Sequence, residues 1–179
     1  MTTAIVILLV LAVIVGGVVA VAASKPETFR IERRATFAAA PEAVFAQVND
    51  LVAWQAWSPW AKKDPAAKAT FGALTAGPGA SFSWDGNREV GRGKMTIVEA
   101  DAPSRVLFRL EFEAPFKATN SAEFTLRPVA GGTELVWAMF GAQPLPSRIM
   151  CLFFNMDAMV GKDFETGLSN LKSIVEPAA

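Results

Sequence analysis

The apolar positions along this chain follow three successive patterns, and each predicts a different kind of element. Residues 4–23 read AIVILLVLAVIVGGVVAVAA, apolar throughout and without a charge. At about 1.5 Å of rise per helical residue the run spans about 30 Å, the thickness of a bilayer's hydrocarbon core, so it is expected to cross a membrane as one helix. From Thr28 to Phe37 the period drops to two. Phe29, Ile31, Ala35 and Phe37 fall on one side and Thr28, Arg30, Glu32, Arg34 and Thr36 on the other, which marks a half-buried strand. Ala40-Pro41-Glu42 then opens a short helix carrying Val44, Phe45 and Val48. A second short helix carries Leu51, Trp54 and Trp57, and Pro59 is expected to end it.

Alternation resumes from Ala69 to Phe140. Turn residues at Gly77-Pro78-Gly79, Asp85-Gly86-Asn87, Ala102-Pro103-Ser104 and Ala130-Gly131-Gly132 divide this region into a meander of antiparallel strands. Val106, Phe108, Leu110 and Phe112 form one apolar row, and Phe116, Ala118, Asn120, Ala122, Phe124 and Leu126 the next. Beyond Pro144 and Pro146 the period becomes helical. Met156, Met159, Val160, Phe164, Gly167, Leu168, Leu171, Ile174 and Val175 recur at three- and four-residue steps, so one long amphipathic helix must cover the concave side of the sheet. The expected fold class is α+β: an antiparallel sheet wrapped around a long C-terminal helix. Residues 1–24 form the anchor and residues 25–179 one domain.

A cleaved signal peptide is the competing reading of the apolar run, since Ala20-Val21-Ala22 and Val21-Ala22-Ala23 offer small residues at cleavage-like spacing. The run is longer than the ~7–15 residues of a signal core, and Met1-Thr2-Thr3 lacks the basic residues of its leading segment. A single-pass anchor is therefore expected. Lys25, Arg30, Arg33 and Arg34 follow the span and no basic residue precedes it, so the positive-inside bias puts the domain in the cytoplasm, the alternative being the periplasm after cleavage. The lone Cys151 forms no intramolecular disulfide and fits a reducing compartment.

Charge and composition narrow the function. The 17 basic and 17 acidic residues balance, so nucleic acid is not an expected partner. The chain has no histidine and no tyrosine, which excludes Ser-His-Asp and Cys-His catalysis and histidine-ligated metal sites. Neither GxxxxGK[ST] nor GxGxxG occurs. No cofactor and no metal are expected.

The order of strand, two short helices, six-strand meander and long C-terminal helix is a helix-grip arrangement. With it go Ala40-Pro41-Glu42-Ala43-Val44-Phe45, WQAWSPW at 54–60, SWDGNREVGRG at 83–93, FTLRPVAGGT at 124–133 and NMDAMVGKDFETGLSNL at 155–171. On these stretches the chain resembles the polyketide cyclase/dehydrase and lipid-transport family of the START-like (SRPBCC) superfamily, in a membrane-anchored bacterial branch. The resemblance implies an apolar cavity between sheet and C-terminal helix that binds lipid, sterol, quinone-like or polyketide molecules. Only some members are enzymes. Family cyclases commonly bring tyrosine, histidine or acidic groups into that cavity, and the first two are absent here.

The residues expected to contact such a ligand are Trp54, Trp57, Phe82, Trp84, Met95, Phe108, Phe112, Asn120, Trp137 and Met139 on the sheet side and short helices. Phe153, Met156, Met159, Val160 and Phe164 are expected from the C-terminal helix region. The methionines suit a wall that accepts several ligand shapes; Trp54, Trp57 and Trp60 suit packing of the short helices onto the sheet first, and contact with ligand at the cavity mouth by one or two of them as the alternative. Asn120 interrupts an apolar face and needs a hydrogen-bond partner in protein, water or ligand. Arg33 interrupts the first strand in the same way and calls for a carboxylate such as Glu99 or Glu111, or an anionic ligand. Asp157, Asp163 and Glu165 are expected on the solvated side of the last helix. The reading that results is a membrane-tethered module binding a hydrophobic small molecule or lipid. The alternatives are a cyclase- or dehydratase-type enzyme using Asn120, Arg33 or a buried carboxylate, and an interaction module without ligand.

Overall fold

The computed structural model describes residues 2–176. The apolar run forms α1 (Thr2–Ala23), a helix long and apolar enough to cross a membrane, with none of its most apolar stretch covered by protein. After a linker comes β1 (Thr28–Phe37), followed by the short helices α2 (Pro41–Val48), α3 (Leu51–Trp57) and α4 (Pro59–Lys63). Six strands follow: β2 (Lys68–Phe71), β3 (Ser81–Asp85), β4 (Arg92–Asp101), β5 (Arg105–Ala114), β6 (Ala118–Val129) and β7 (Gly132–Ala142). A short α5 (Leu145–Met150) and the long α6 (Met156–Val175) complete the order.

The caps explain where the helices begin. Asp50 accepts hydrogen bonds from the Val52 and Ala53 amides at the start of α3, and Asn155 accepts one from Ala158 at the start of α6, each satisfying an amide that lacks a partner within its helix. Pro59 does not simply end a helix, as the sequence pattern suggested. Ser58 closes α3 and its hydroxyl accepts from the Ala61 amide, so Pro59 sits in the first turn of α4, where a missing N–H costs nothing.

All seven strands pair antiparallel in the order β1-β7-β6-β5-β4-β3-β2. The first strand therefore pairs with the last, from Thr28 opposite Ala142 to Phe37 opposite Thr133. The predicted turns fall between strands, and at the two-residue turn between β6 and β7 Gly131 takes φ of 82°, a conformation that favours glycine. Register fixes two ends of the sheet. One holds α2, α3 and the β6–β7 turn. The other gathers the end of the α1 linker, the β3–β4 connection, the β5–β6 turn and the segment between α5 and α6.

The concave face carries Ile31, Phe37, Phe108, Phe124, Leu135 and Trp137, all buried, against Phe164, Leu168 and Leu171 of α6. Trp137 and Phe164 stack with ring centroids 4.0 Å apart and planes 9° apart, and Trp54 meets Trp57 and Trp137 edge-on at 4.4 and 5.4 Å. Edge-on and offset contacts of this kind align ring edges with ring faces and add to area burial.

Arg33 also faces inward, toward α6 rather than toward the carboxylates expected from its sheet neighbours. Its guanidinium donates to Glu165 at 2.7 Å and to Asp157 at 3.1 Å, while Glu99 pairs with Arg105 at 2.5 Å and Glu111 with Arg109 at 3.5 Å. Asp157 and Glu165 thus lie on the solvated side of the helix, 60% and 62% exposed, and are at the same time ion-pair partners of Arg33. Asp163 likewise pairs with Lys63 at 2.7 Å. Asp157, Gly161 and Glu165 lie one helical turn apart, so they form a notch with an acid at each end and no side chain in the middle. A Cβ on Gly161 would overlap the Arg33 guanidinium.

Gly161→Ala sets helix propensity against the notch. Alanine gains about 1 kcal/mol of helix propensity, while the displaced guanidinium gives up two partly exposed ion pairs of modest worth. The gain in stability by chemical denaturation should therefore be smaller in the wild-type background than on top of Arg33→Ala, and that difference in a double-mutant cycle checks the notch.

Candidate functional site

α6 packs against β1 and against α2, α3 and α4, so the inner face of β3 to β5 is left without a helix above it. The gap is a cavity of about 440 Å³, within the ~300–1,000 Å³ range of small-molecule sites. Its deep part is formed by Trp54, Phe108, Phe124, Trp137 and Phe164, each at most 5% exposed. Phe82, Trp84, Met95, Leu110, Phe112, Ala122 and Met139 extend the sheet wall, and Val160 and Asp163 extend the helix wall. A third wall comes from Trp60, Ala61, Asp64, Pro65, Ala67 and Ala69, between α3 and β2.

Exposure rises toward one end. Trp84, Leu110, Phe112, Met139 and Val160 are half-buried, and register puts Phe112 opposite Ala118 and Met139 opposite Ile31, toward the end of the sheet where the α1 linker enters. The opposite end is closed by α2 and α3, where Val44, Val48, Leu51 and Trp57 are fully buried. Close approach shapes the wall as well. Gly93 leaves room for the Trp84 ring, which would stand 2.6 Å from a Cβ at that position.

Several polar side chains around the cavity are engaged by protein, whereas the indole N–H groups of Trp54, Trp60 and Trp137, which also line it, have no protein acceptor among the described residues. The Gln55 amide donates to the Leu51 carbonyl at 3.4 Å, and the Trp84 indole donates to the Val90 carbonyl at 3.3 Å. Asp64 accepts from the amides of Ala66 and Asn87, the latter at 2.6 Å. Lys63 bridges Asp163 at 2.7 Å and Glu89 at 3.6 Å, tying α4, α6 and the β3–β4 connection together beside the opening. Groups of three or more metal-ligating side chains are absent among the described residues.

Of the residues singled out from the sequence, Trp54, Phe82, Trp84, Met95, Phe108, Phe112, Trp137, Met139, Val160 and Phe164 line this cavity. Five do not. Trp57 is fully buried behind Trp54 and Trp137, its indole donating to the Gln47 carbonyl. Asn120 stands at the end of its row beside Gly141, its Oδ1 where a Cβ on that glycine would fall, and is outside the cavity wall. Phe153 and Met159 point outward, 69% and 64% exposed. Met156 lines, with Phe153, a separate groove of about 560 Å³ between β1 and the α5–α6 segment. Leu110, Ala122 and Phe124 share the parity of Phe108 and Asn120 and were readable from alternation. The wall from Ala61 to Ala69 had no such signal, because it joins the end of one short helix, a four-residue connection and the start of a short strand, none long enough to show a period.

A concave sheet gripping a C-terminal helix, with an apolar cavity between them, defines a helix-grip protein. The sequence profile of the family described as polyketide cyclase / dehydrase and lipid transport matches residues 28–176, and the chain belongs to that family. Curated proteins give no match. Solved structures agree on the fold. Protein CV1439 from Chromobacterium violaceum is 18% identical, with a TM-score of 0.59 over 86% of this chain and 100% of its own. A Rhodobacter sphaeroides protein is 21% identical, with a TM-score of 0.60 over 84% of this chain and 93% of its own. DynU16, a protein in the dynemicin biosynthetic locus, is 15% identical with a TM-score of 0.57, over 83% of this chain and 47% of its own.

The Arg33 notch has a pH signature. Hydrogen bonds from Arg33 hold Asp157 below the ordinary carboxylate value of 3.8, and the same bonds to Asp157 and Glu165 raise Arg33. A depressed carboxylate contributes stability that is complete above 3.8 and lost as the pH falls through the lower folded value. Asp157→Asn should therefore be less stable than wild type at neutral pH, and the gap should close on acidification. Unfolding free energies measured across that pH range check it.

Proposed function

We propose that this chain binds a hydrophobic small molecule of lipid, isoprenoid or polyketide-like class in the cavity between sheet and α6, and that α1 tethers it to a membrane. The observation that carries the reading is an apolar cavity of about 440 Å³ whose neighbouring carboxylates, Asp64 and Asp163, already have protein partners. Such a site offers burial to an apolar molecule and little to orient a reactive group. The family's description includes lipid transport, which agrees with a carrier or binding role. Proton transfer would need a group free to exchange a proton at the substrate. Asp64 and Asp163 reach the cavity wall bound to backbone amides and to Lys63 respectively, which favours binding over turnover.

Tethering has a physical rationale. A poorly soluble ligand is concentrated in the bilayer, so a cavity held there meets it at high effective concentration. An uncovered apolar helix of this length suits a hydrocarbon environment. Lys25, Arg30, Arg33 and Arg34 favour a cytoplasmic domain under the positive-inside bias.

Native mass spectrometry with lipid extraction, on the full chain gently released from its own membrane, tests the binding. We expect a stoichiometric apolar molecule in the wild type and none in Ala122→Phe, whose ring fills the cavity from the middle of its sheet wall. Cooperative thermal unfolding of the variant is measured alongside, because Ala122 is 4% exposed and belongs to the core as well as to the cavity wall. A wild-type protein that is empty, under conditions where a known lipid carrier keeps its ligand, overturns the reading.

A further inference from the structure

The end of the domain where the cavity opens also carries the chain's most exposed aromatic side chains. Phe116 in the β5–β6 turn and Phe153 in the turn after α5 are each 69% exposed, and Phe154 is 60% exposed. Met159, in the first turn of α6, is 64% exposed. Single exposed apolar residues are ordinary. Four of them at one end of a sheet, brought together from three separate segments, form a surface.

The chain itself indicates what covers that surface. α5 packs against α1, where Ala22, in the last turn, is fully buried. Arg148 of α5 donates to the carbonyls of Ala23 and Lys25 at 3.4 and 3.0 Å and lies 3.5 Å from Glu27. The linker from Ser24 to Glu27 between α1 and β1 reaches at most about 14 Å even when extended. If α1 spans a bilayer, its last turn lies at the interface. α5, Phe153 and Phe154 are then held at that level by direct contact. Lys25, Arg88 and Lys117 stand on the same end without carboxylate partners among the described residues, suited to anionic headgroups.

We infer that this end is a membrane-docking face: Phe116, Phe153, Phe154 and Met159 insert into the interfacial layer of the bilayer that α1 crosses, and the cavity opens onto that layer. Aromatic rings are favoured at this depth. A ligand then passes between bilayer and cavity past Leu110, Phe112 and Val160 without a step through water. The inference rests on the reading of α1 as a retained membrane span.

Depth measurements on the full chain test it. The protein is reconstituted into vesicles of phosphatidylethanolamine and phosphatidylglycerol in equal parts. A Cys151→Ala background carries a single cysteine at Phe153→Cys, Phe116→Cys or, as a control at the far end, Val52→Cys on α3, which is 51% exposed. Each is labelled with an environment-sensitive dye. We expect dyes at 153 and 116 to lose emission to a lipid-borne nitroxide and to resist aqueous iodide, and the dye at 52 to behave in the opposite way. Iodide access at 153 and 116 equal to that at 52, in protein that resists alkaline carbonate extraction, overturns docking while leaving the tether intact. Protection from iodide without nitroxide quenching means that a second copy covers the face, and also overturns it. Release by carbonate removes the tether reading and the docking together.

Discussion

The position of α6 over the sheet decides where this protein can hold anything. A helix centred on the concave face would fill it. Instead Arg33, reaching from β1 into the notch between Asp157 and Glu165, holds the helix toward the β1 edge, and the Trp137–Phe164 stack fixes its height. The space left over β3 to β5 is the cavity. The ion pairs are partly exposed and contribute modestly to stability. Their value lies in direction, because a guanidinium between two acids one turn either side of a glycine matches this lateral setting of the helix.

A second consequence follows from how the short helices are used. α2 and α3 close one end of the sheet with fully buried side chains, and Trp57 turns its ring into that closure instead of into the cavity. α4 does the reverse. Starting at Pro59 immediately after α3, it turns Trp60 and Ala61 toward the cavity and brings Lys63 to the opening, where one ammonium joins α4, α6 and the β3–β4 connection. The cavity is therefore sealed at one end by packing and bordered at the other by charges that can exchange partners with solvent.

Much of the architecture was legible in the sequence because it is written in local periods. Strand alternation identified the inner face, the helical stripe from Met156 to Val175 gave α6, and glycine- and proline-containing turns separated most of the strands. Parity alone also grouped Phe108, Phe112, Trp137 and Met139 on the face that lines the cavity. What was not legible depends on distance. Nothing local pairs Arg33 with a helix more than 120 residues away, and three-residue spacing does not distinguish Trp54, at the cavity, from Trp57, behind it. The outward turn of Phe153 and Met159 was hidden for a related reason: the chain between α5 and α6 is too short to have a period, and the first turn of a helix can overhang the surface it covers further along.

The composition of the walls gives the molecule an optical property. The chain has five tryptophans and no tyrosine. Trp54, Trp60, Trp84 and Trp137 line the cavity, and the fifth, Trp57, touches two of them. Nearly all near-ultraviolet emission from this protein thus originates at the surface a bound molecule would touch, with no tyrosine background from elsewhere. An occupant that displaces water from the half-buried Trp60 and Trp84 shifts that emission, so the unmodified protein is its own indicator of filling.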